Sequence, residues 1–166
     1  MKNIITIGFV ILSIIFLSSC EKGIQGDQGE PGNTNVKTTI VTITPAEWSG
    51  TTTVEAEKNL SIITDEIAEY GAIFVYIKIG DKMYKSMPYT WPEDGNSTIY
   101  RFKTAPNLIK FEIHSEGTTV TPATNRVFKV VAMSASEYDY AKRNKKVDFN
   151  NYTQVEEYIS QIQIIK

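Results

Sequence analysis

The stretch AIFVYIKI, Ala72–Ile79, decides the fold because its side chains alternate between two faces with a period of two residues. One face carries Ile73, Val75, Ile77 and Ile79, and the other carries Phe74 and Tyr76. This alternation predicts a β-strand. The pair Gly80-Asp81 follows directly and is typical of a two-residue hairpin turn, which predicts a further strand at Lys82–Met87.

More strands are predicted on both sides of this hairpin. They span Val36–Thr44, Thr51–Glu57, Ser97–Lys103, Leu108–Ser115 and Arg126–Met133. In the fourth of these, Ile109, Phe111 and Ile113 share one face, and Lys110, Glu112 and His114 share the other. The run Arg126–Met133 is almost continuously apolar, so we expect it to be a central strand. Short strands separated by turn residues predict a mainly β chain folded as an antiparallel β-sandwich.

Two helices are predicted beside the strands. Thr64 is a suitable N-cap for a short helix at Asp65–Tyr70, and Gly71 is a suitable C-terminal stop. Residues 150–163 carry Val155, Ile159 and Ile162 at helical spacing, and the stretch from Thr153 to Glu156 resembles a capping box. We expect this C-terminal helix to pack its apolar stripe against the sheet. The alternative is a final strand at residues 162–165.

The N-terminus has the features of a targeting segment. Lys2 precedes an apolar run at Ile4–Leu17, which as a helix would rise only about 21 Å. A bilayer core is about 30 Å thick, so the run is short for a transmembrane helix and has the length of a signal-peptide core. The apolar run alone leaves an ordinary signal peptide or a short membrane anchor as alternatives.

The residues Leu17-Ser18-Ser19-Cys20 distinguish between these alternatives. They resemble the lipobox of bacterial lipoproteins, which has an aliphatic residue, two small residues and a cysteine. The resemblance implies that lipid is transferred to Cys20 and that the chain is cleaved after Ser19. Two or three acyl chains on one residue hold a protein at a membrane essentially permanently, since each buried methylene contributes about 0.8 kcal/mol. Residues 1–19 are therefore predicted to be a lipoprotein signal peptide.

Glycine recurs at every third position after the cysteine, at Gly23, Gly26, Gly29 and Gly32. A collagen triple helix needs this period because only a hydrogen atom fits at its axis. Because these triplets are few and contain a single proline, we interpret residues 20–35 as the lipidated cysteine and a flexible polar spacer. A trimeric stalk is the alternative. The spacing is not G-x-G-x-x-G and no strand precedes it, so a phosphate-binding loop is excluded.

A lipobox cysteine, a short run of Gly-x-y triplets and a β-rich remainder together resemble small collagen-like lipoproteins of outer-membrane-bearing bacteria. In the folded part the likeness lies in TDEIAEYGAIFVYIKIGDKMYKSMPYTW (64–91), RVFKVVAM (126–133) and VDFNNYTQVEEYI (147–159). The resemblance implies a protein anchored at the bacterial outer membrane or cell surface, with residues 36–166 as its β-sandwich domain. No activity attaches to that family, so the resemblance assigns no functional residues.

The composition excludes several functional classes. The 17 basic and 19 acidic residues nearly balance, so the chain lacks the basic surplus of proteins that bind nucleic acids. A single cysteine rules out an intramolecular disulfide. A single histidine, His114, offers little for metal binding or imidazole catalysis, and we interpret it as an exposed surface residue. We therefore predict no cofactor and no bound metal.

The charged clusters are interpreted as solvated surface. They comprise Glu66 and Glu69, Glu156 and Glu157, and the basic stretch KRNKK at Lys142–Lys146, which we place in a loop. The alternative for the basic stretch is contact with anionic lipid headgroups. Glu137 and Asp139 flank Tyr138, but oxygen ligands at the spacing of a calcium loop are missing there.

A ligand site is predicted in the segment PYTWPEDGNST, Pro88–Thr98, which we interpret as a loop between strands. Tyr89 and Trp91 are the candidate ligand contacts, because large flat rings with few rotamers stack well on sugars or peptides. The alternative is that Trp91 closes the end of the sandwich core.

The sequence therefore favours a non-catalytic, monomeric structural or binding module that is held at a membrane. Its expected partner, besides the membrane, is an envelope protein or a glycan. One alternative is an envelope glycan-acting enzyme, which would need two convergent carboxylates in a cleft. Another alternative is an adhesin that is trimerised by the collagen-like stretch.

Overall fold

The computed structural model describes residues 35–51, 53–93, 96–115 and 121–164. The predicted signal peptide, Cys20 and the glycine triplets lie outside the described residues. The strands are β1 (Val36–Ile43), β2 (Val54–Asn59), β3 (Ala72–Gly80), β4 (Met83–Ser86), β5 (Tyr89–Glu93), β6 (Asn96–Ala105), β7 (Leu108–Ser115) and β8 (Arg126–Met133). The helices are α1 (Asp65–Tyr70), α2 (Ala135–Asn144) and α3 (Tyr152–Ile164), and a 3-10 turn spans Pro45–Glu47.

These strands form two four-stranded antiparallel sheets. The first sheet has the strand order β1-β8-β3-β4, and the second has the order β2-β7-β6-β5. The predicted mainly β architecture, an antiparallel sandwich with a C-terminal helix, is therefore confirmed. β8 lies between β1 and β3, which is the central position that its apolar sequence predicts.

The inner core between the two sheets is built from alternating side chains. The buried residues of β7 are Ile109, Phe111 and Ile113, the face that the sequence predicts. Val75 and Ile77 of β3 are buried in the same core. Phe111 stacks on Phe128 of the opposite sheet, with ring centroids 4.1 Å apart. Full burial of an aliphatic or aromatic side chain contributes roughly 1.5–3 kcal/mol, so this core holds the two sheets together.

The helices α2 and α3 form a third layer on the outer face of the first sheet. Phe74 and Tyr76 of β3 pack into a second apolar cluster there, together with Val155 and Ile159 of α3. The apolar stripe of the C-terminal helix is therefore buried against the sheet, as predicted. β3 and β8 carry apolar residues on both faces because one face meets the second sheet and the other meets the helices.

Helix α1 begins and ends where the sequence predicts. The Thr64 hydroxyl accepts a hydrogen bond from the N–H of Ile67 at 3.2 Å, and the N–H of Gly71 donates to the Ile67 carbonyl at 3.1 Å. A Cβ atom at Gly71 would lie 2.4 Å from the carbonyl oxygen of Met133. Glycine is therefore needed here for the close approach of α1 to the end of β8.

Two segments predicted as loops are regular structure. Residues 89–93 form β5 and residues 96–98 begin β6, so the loop predicted at Pro88–Thr98 is wrong. Pro92 is tolerated in β5 because β5 is an edge strand. The loop predicted at KRNKK is also wrong, because Lys142–Asn144 form the last turn of α2. That helix is capped by Ser134, whose hydroxyl accepts from the N–H of Glu137 at 3.3 Å.

The hairpin after β3 is shifted by one residue from the prediction. β3 continues to Gly80, which is paired with Met83 of β4. The two turn residues are therefore Asp81 and Lys82 rather than Gly80 and Asp81. The shift matters because it places a lysine, with φ 54°, in the left-handed region of the turn.

The start of α3 also differs from the prediction. The side chain of Asn151 accepts hydrogen bonds from the N–H groups of Thr153 and Gln154, at 3.1 and 3.4 Å. Asn151 is therefore the N-cap of α3, and asparagine is among the strongest N-caps. The predicted capping box at Thr153 is wrong, because Thr153 lies inside the helix. The alternative of a final strand is wrong as well, because α3 continues to Ile164. Within the described residues, no helix combines the length and apolar character that crossing a bilayer requires.

Candidate functional site

The predicted contact residues Tyr89 and Trp91 lie next to each other on the edge strand β5. Both are partly buried and pack against the inner core. Their rings meet edge to face with centroids 6.0 Å apart, and the ring of Trp91 is 6.2 Å from that of Tyr100 in β6. The structure therefore brings the two residues together at the edge of the sandwich core.

Arg126, the first residue of β8, covers the ring of Trp91. Its guanidinium carbon lies 4.8 Å from the ring centroid, and its Nε donates to the Tyr100 hydroxyl at 3.0 Å. A guanidinium over an indole ring is stabilising, and here it connects β8 of the first sheet to the edge strand β5 of the second. This geometry fits the alternative in which Trp91 closes the core. Ligand contact by Tyr89 or Trp91 stays a prediction.

The outer face of the second sheet carries paired charges. Lys110 forms ion pairs with Glu55 at 3.2 Å and with Glu57 at 2.7 Å. Lys103 forms an ion pair with Glu112, which is buried among its neighbours although the sequence places it on the polar face. The charges on this face largely satisfy one another.

The other polar candidates from the sequence are dispersed over the surface. The exposed ones are His114, Glu66, Glu69, Asp139, Glu157 and the residues of the basic stretch 142–146. Glu137 is partly buried and accepts a hydrogen bond from the hydroxyl of Tyr158, which connects α2 to α3. In the part of the chain that the structure describes, no three His, Cys, Asp or Glu side chains come together as a metal site.

A cleft of about 300 Å³ lies between the β3–β4 hairpin and the first turns of α3. Its lining residues are Lys78, Lys82, Tyr84, Tyr152 and Glu156. Tyr84 and Tyr152 form one wall, because their rings stack with centroids 4.7 Å apart and planes at 29°. The ring of Tyr76 meets Tyr152 edge-on at 5.2 Å. Packing therefore fixes the position of this wall.

Lys129 lies beside the cleft on the outer face of β8, and its side chain is only 13% exposed. Its ammonium forms an ion pair with Glu156 and donates a hydrogen bond to the Tyr152 hydroxyl at 3.3 Å. A lysine that is buried this far needs a counter-ion, and Glu156 supplies it. The expectation that Glu156 is a merely solvated residue is therefore wrong.

This ion pair determines the protonation states in the cleft. Burial opposes ionisation of Glu156, but hydrogen bonds with Lys129 and Tyr152 outweigh it and hold the pKa of the carboxyl below its usual value. Burial, reinforced by the charge of Glu156, raises the pKa of Tyr84 and Tyr152. At neutral pH the cleft therefore contains an ionised carboxylate and two protonated phenols.

Lys78 and Lys82 are the remaining cations of the cleft. Among the described residues, no carboxylate lies within ion-pair distance of either ammonium. Together with Lys129 they face one carboxylate, that of Glu156, so the cleft has a surplus of positive charge. The sequence interpretation missed this site. The one feature of the sequence that points to this cleft is Lys129, the single charged residue in the apolar run 127–133.

No protein-family model, no curated protein and no solved structure matches this chain.

Proposed function

We propose that this chain is a lipid-anchored, non-catalytic structural or binding module of the bacterial cell envelope, held at the outer membrane or cell surface through Cys20. One observation carries the proposal: Leu17-Ser18-Ser19-Cys20 stands at the end of the apolar run Ile4–Leu17. A signal-peptide core of this length delivers a cysteine to the enzymes that lipidate and cleave at a lipobox. The chain's one cysteine occupies that position.

The point at which the chain enters the sandwich supports a tether. The Asn35 carbonyl accepts a hydrogen bond from the N–H of Ser134 at 2.8 Å, which fixes the start of β1 beside the start of α2. Residues 21–35 separate Cys20 from β1, and when fully extended they span at most about 50 Å. A spacer of this reach keeps the domain close to a membrane and leaves its faces accessible to a partner.

The single, ion-paired carboxylate in the cleft supports binding rather than catalysis. A carboxylate-based glycan hydrolase needs two carboxyl groups that converge on one bond. The cleft contains one, that of Glu156, and its charge is committed to the partly buried ammonium of Lys129. We therefore propose that the module binds an envelope protein or a glycan and does not cleave it.

The anchor is tested by labelling cells with palmitate and washing their membranes with carbonate. We expect the wild-type protein to incorporate label and to stay in the membrane pellet. Cys20→Ala removes the nucleophile and is expected to abolish both. Ser18→Ala is the matched control, because it keeps a small residue in the lipobox and is expected to retain both. A Cys20→Ala protein that still incorporates palmitate would overturn the proposal.

A further inference from the structure

We propose that the cleft walled by Tyr84 and Tyr152 binds an acidic sugar unit, with the sugar carboxylate at Lys78 and Lys82 and the sugar ring against the tyrosine wall. This inference rests on the proposed function for its setting. It deepens that function by giving the module a binding site and a class of ligand.

The charge of the cleft selects an anion. Glu156 is paired with Lys129 and is therefore not available to neutralise Lys78 and Lys82. The first turn of α3, which begins at Tyr152, borders the same cleft. The N-terminal end of a helix carries a partial positive charge, so it adds to the potential of the lysines. The lysine ammonium acts as a point charge and donates to a carboxylate without a fixed bidentate geometry.

The tyrosine wall selects a ligand with a partly apolar body. Tyr84 and Tyr152 stack on each other, and Tyr76 supports them through its edge contact and a 2.8 Å hydrogen bond from its hydroxyl to the Phe149 carbonyl. Rings held in this way offer apolar surface, and Tyr84 adds its phenolic hydroxyl, a combination that suits a saccharide. Ligand pockets measure about 300–1,000 Å³, and this cleft lies at the lower end of that range. One or two sugar units are therefore the expected occupant.

The backbone at Lys82 supports a binding role for its side chain. With φ 54°, Lys82 occupies a turn position at which glycine or asparagine is favoured. A lysine there carries a conformational cost, and the residue lines the cleft. Backbone strain of this kind is concentrated at functional sites.

Two other depressions on the described surface lack this combination. One is lined by Asp65 and Glu69 beside the β6–β7 turn and has no lysine in its wall. The other has both Lys145 and Glu157 in its lining, and Tyr158 is the single tyrosine there. The surplus of cations and the pair of stacked rings therefore distinguish the cleft between the hairpin and α3.

The test measures binding to the full-length protein in a non-ionic detergent by titration calorimetry. The probes are tri-galacturonic acid and the neutral trisaccharide maltotriose. We expect the acidic trisaccharide to bind at least about tenfold more tightly than the neutral one, because a single charge-assisted hydrogen bond contributes about that much affinity. We also expect its affinity to fall as the salt concentration rises from about 0.05 to 0.5 M, because salt screens exposed charges.

Three variants locate the binding. Lys78→Gln and Lys82→Gly each remove one cation and are each expected to weaken binding about tenfold. Lys82→Gly also places glycine at the positive φ, so the hairpin is retained. Lys85→Gln is the matched control. Lys85 is exposed on β4 opposite Ile77, a residue of the inner face, so its loss is expected to leave the affinity unchanged.

Several outcomes would overturn the inference. They are equal affinity for the two trisaccharides, binding of neither, or a loss of affinity in Lys85→Gln as large as that in Lys78→Gln. Glycerol 3-phosphate, the charged part of an anionic lipid headgroup, is the second arm of the test. If it binds as tightly as tri-galacturonic acid, or binds alone, the cleft does not recognise an acidic sugar. Anchoring does not enter this assay, so a negative result leaves the Cys20 proposal standing, and a failed anchor leaves the binding result standing.

Discussion

The ring of Phe111 on β7 stacks on the ring of Phe128 on β8, with centroids 4.1 Å apart and planes at 24°, so this pair forms a direct contact between the two sheets. Both side chains are fully buried. We expect Phe111→Ala to lower the free energy of unfolding by about 4 kcal/mol, because it removes apolar area and leaves a cavity. Phe111→Leu keeps most of the volume and is expected to cost about 1 kcal/mol. Urea unfolding of the two variants measures both values, and equal losses would contradict the cavity argument.

Trp91 is expected to behave as a core residue. Its ring packs against the inner core and lies under the guanidinium of Arg126. Trp91→Ala removes both contacts and is expected to cost about 3 kcal/mol in thermal or urea unfolding. Trp91→Phe keeps an aromatic ring at the site and is expected to cost less. If Trp91→Ala is as stable as the wild type, the interpretation of Trp91 as a ligand contact gains support instead.

The two partners of the ion pair between Lys129 and Glu156 are expected to differ in how much stability is lost when each is replaced. Glu156→Ala leaves the ammonium of Lys129, which is 13% exposed, without its counter-ion and is expected to cost about 2 kcal/mol. Lys129→Met fills the same space with an apolar chain, while the more exposed carboxylate of Glu156 is solvated, so we expect a cost below about 1 kcal/mol.

Asp139→Ala is the control for these two variants. It removes the exposed pair with Arg143 on α2, and such a pair contributes about 0.5 kcal/mol or less. Chemical denaturation measures the free energy of unfolding of the three variants and so ranks their losses of stability. A Lys129→Met protein that is less stable than Glu156→Ala would contradict the argument from desolvation.

Glu47 is expected to titrate at an unusually low pH. A hydrogen bond from the Lys58 ammonium, with further bonds from the N–H and hydroxyl of Thr44, lowers the pKa of the carboxyl from 4.5 to about 2. A carboxyl whose pKa is lower in the folded state stabilises the fold above its ordinary pKa. That contribution is therefore lost as the pH falls from about 4.5 to about 2. A carbon-13 NMR titration of the Glu47 carboxyl measures the midpoint directly.

Lys58→Met is the control for Glu47, since it removes the largest cause of the shift. We expect the midpoint to rise towards the ordinary value in this variant. A wild-type midpoint near 4.5, or a midpoint that Lys58→Met does not move, would show that the hydrogen bond does not hold the carboxyl ionised.

Local patterns predict the faces of the strands because the direction of a side chain in a strand is set by the residue's place in the alternation. The two faces of β3, which carry Ile77 and Tyr76, follow from the sequence for that reason. The caps of α1 at Thr64 and Gly71 are equally local. The cleft is different, because Tyr84 and Tyr152 are far apart in the chain and meet only once α3 has packed on the first sheet. No spacing in a single sequence contains that contact.

The elements that the sequence interpretation missed have weak local signals. Helix α2 buries Ala141 and otherwise carries mostly exposed or partly buried residues, so it has no broad apolar stripe to detect. β5 contains Pro92, which favours a loop unless the strand is known to lie at a sheet edge. The turn at Asp81-Lys82 places a lysine where glycine is expected, which displaced the predicted hairpin by one residue.

The position of Asn35 determines how the domain would respond to a mechanical load. Val36 and Ala72 both lie opposite Met133, so β1 and β3 start at the same end of the first sheet and run in the same direction. The cleft lies towards the other end of β3, at Lys78. A pull between the tether and a ligand held in the cleft would therefore run along the strands. The hydrogen bonds that join β1 to β8 lie across that direction and would bear the load together, in shear, so β1 would resist being peeled from the domain.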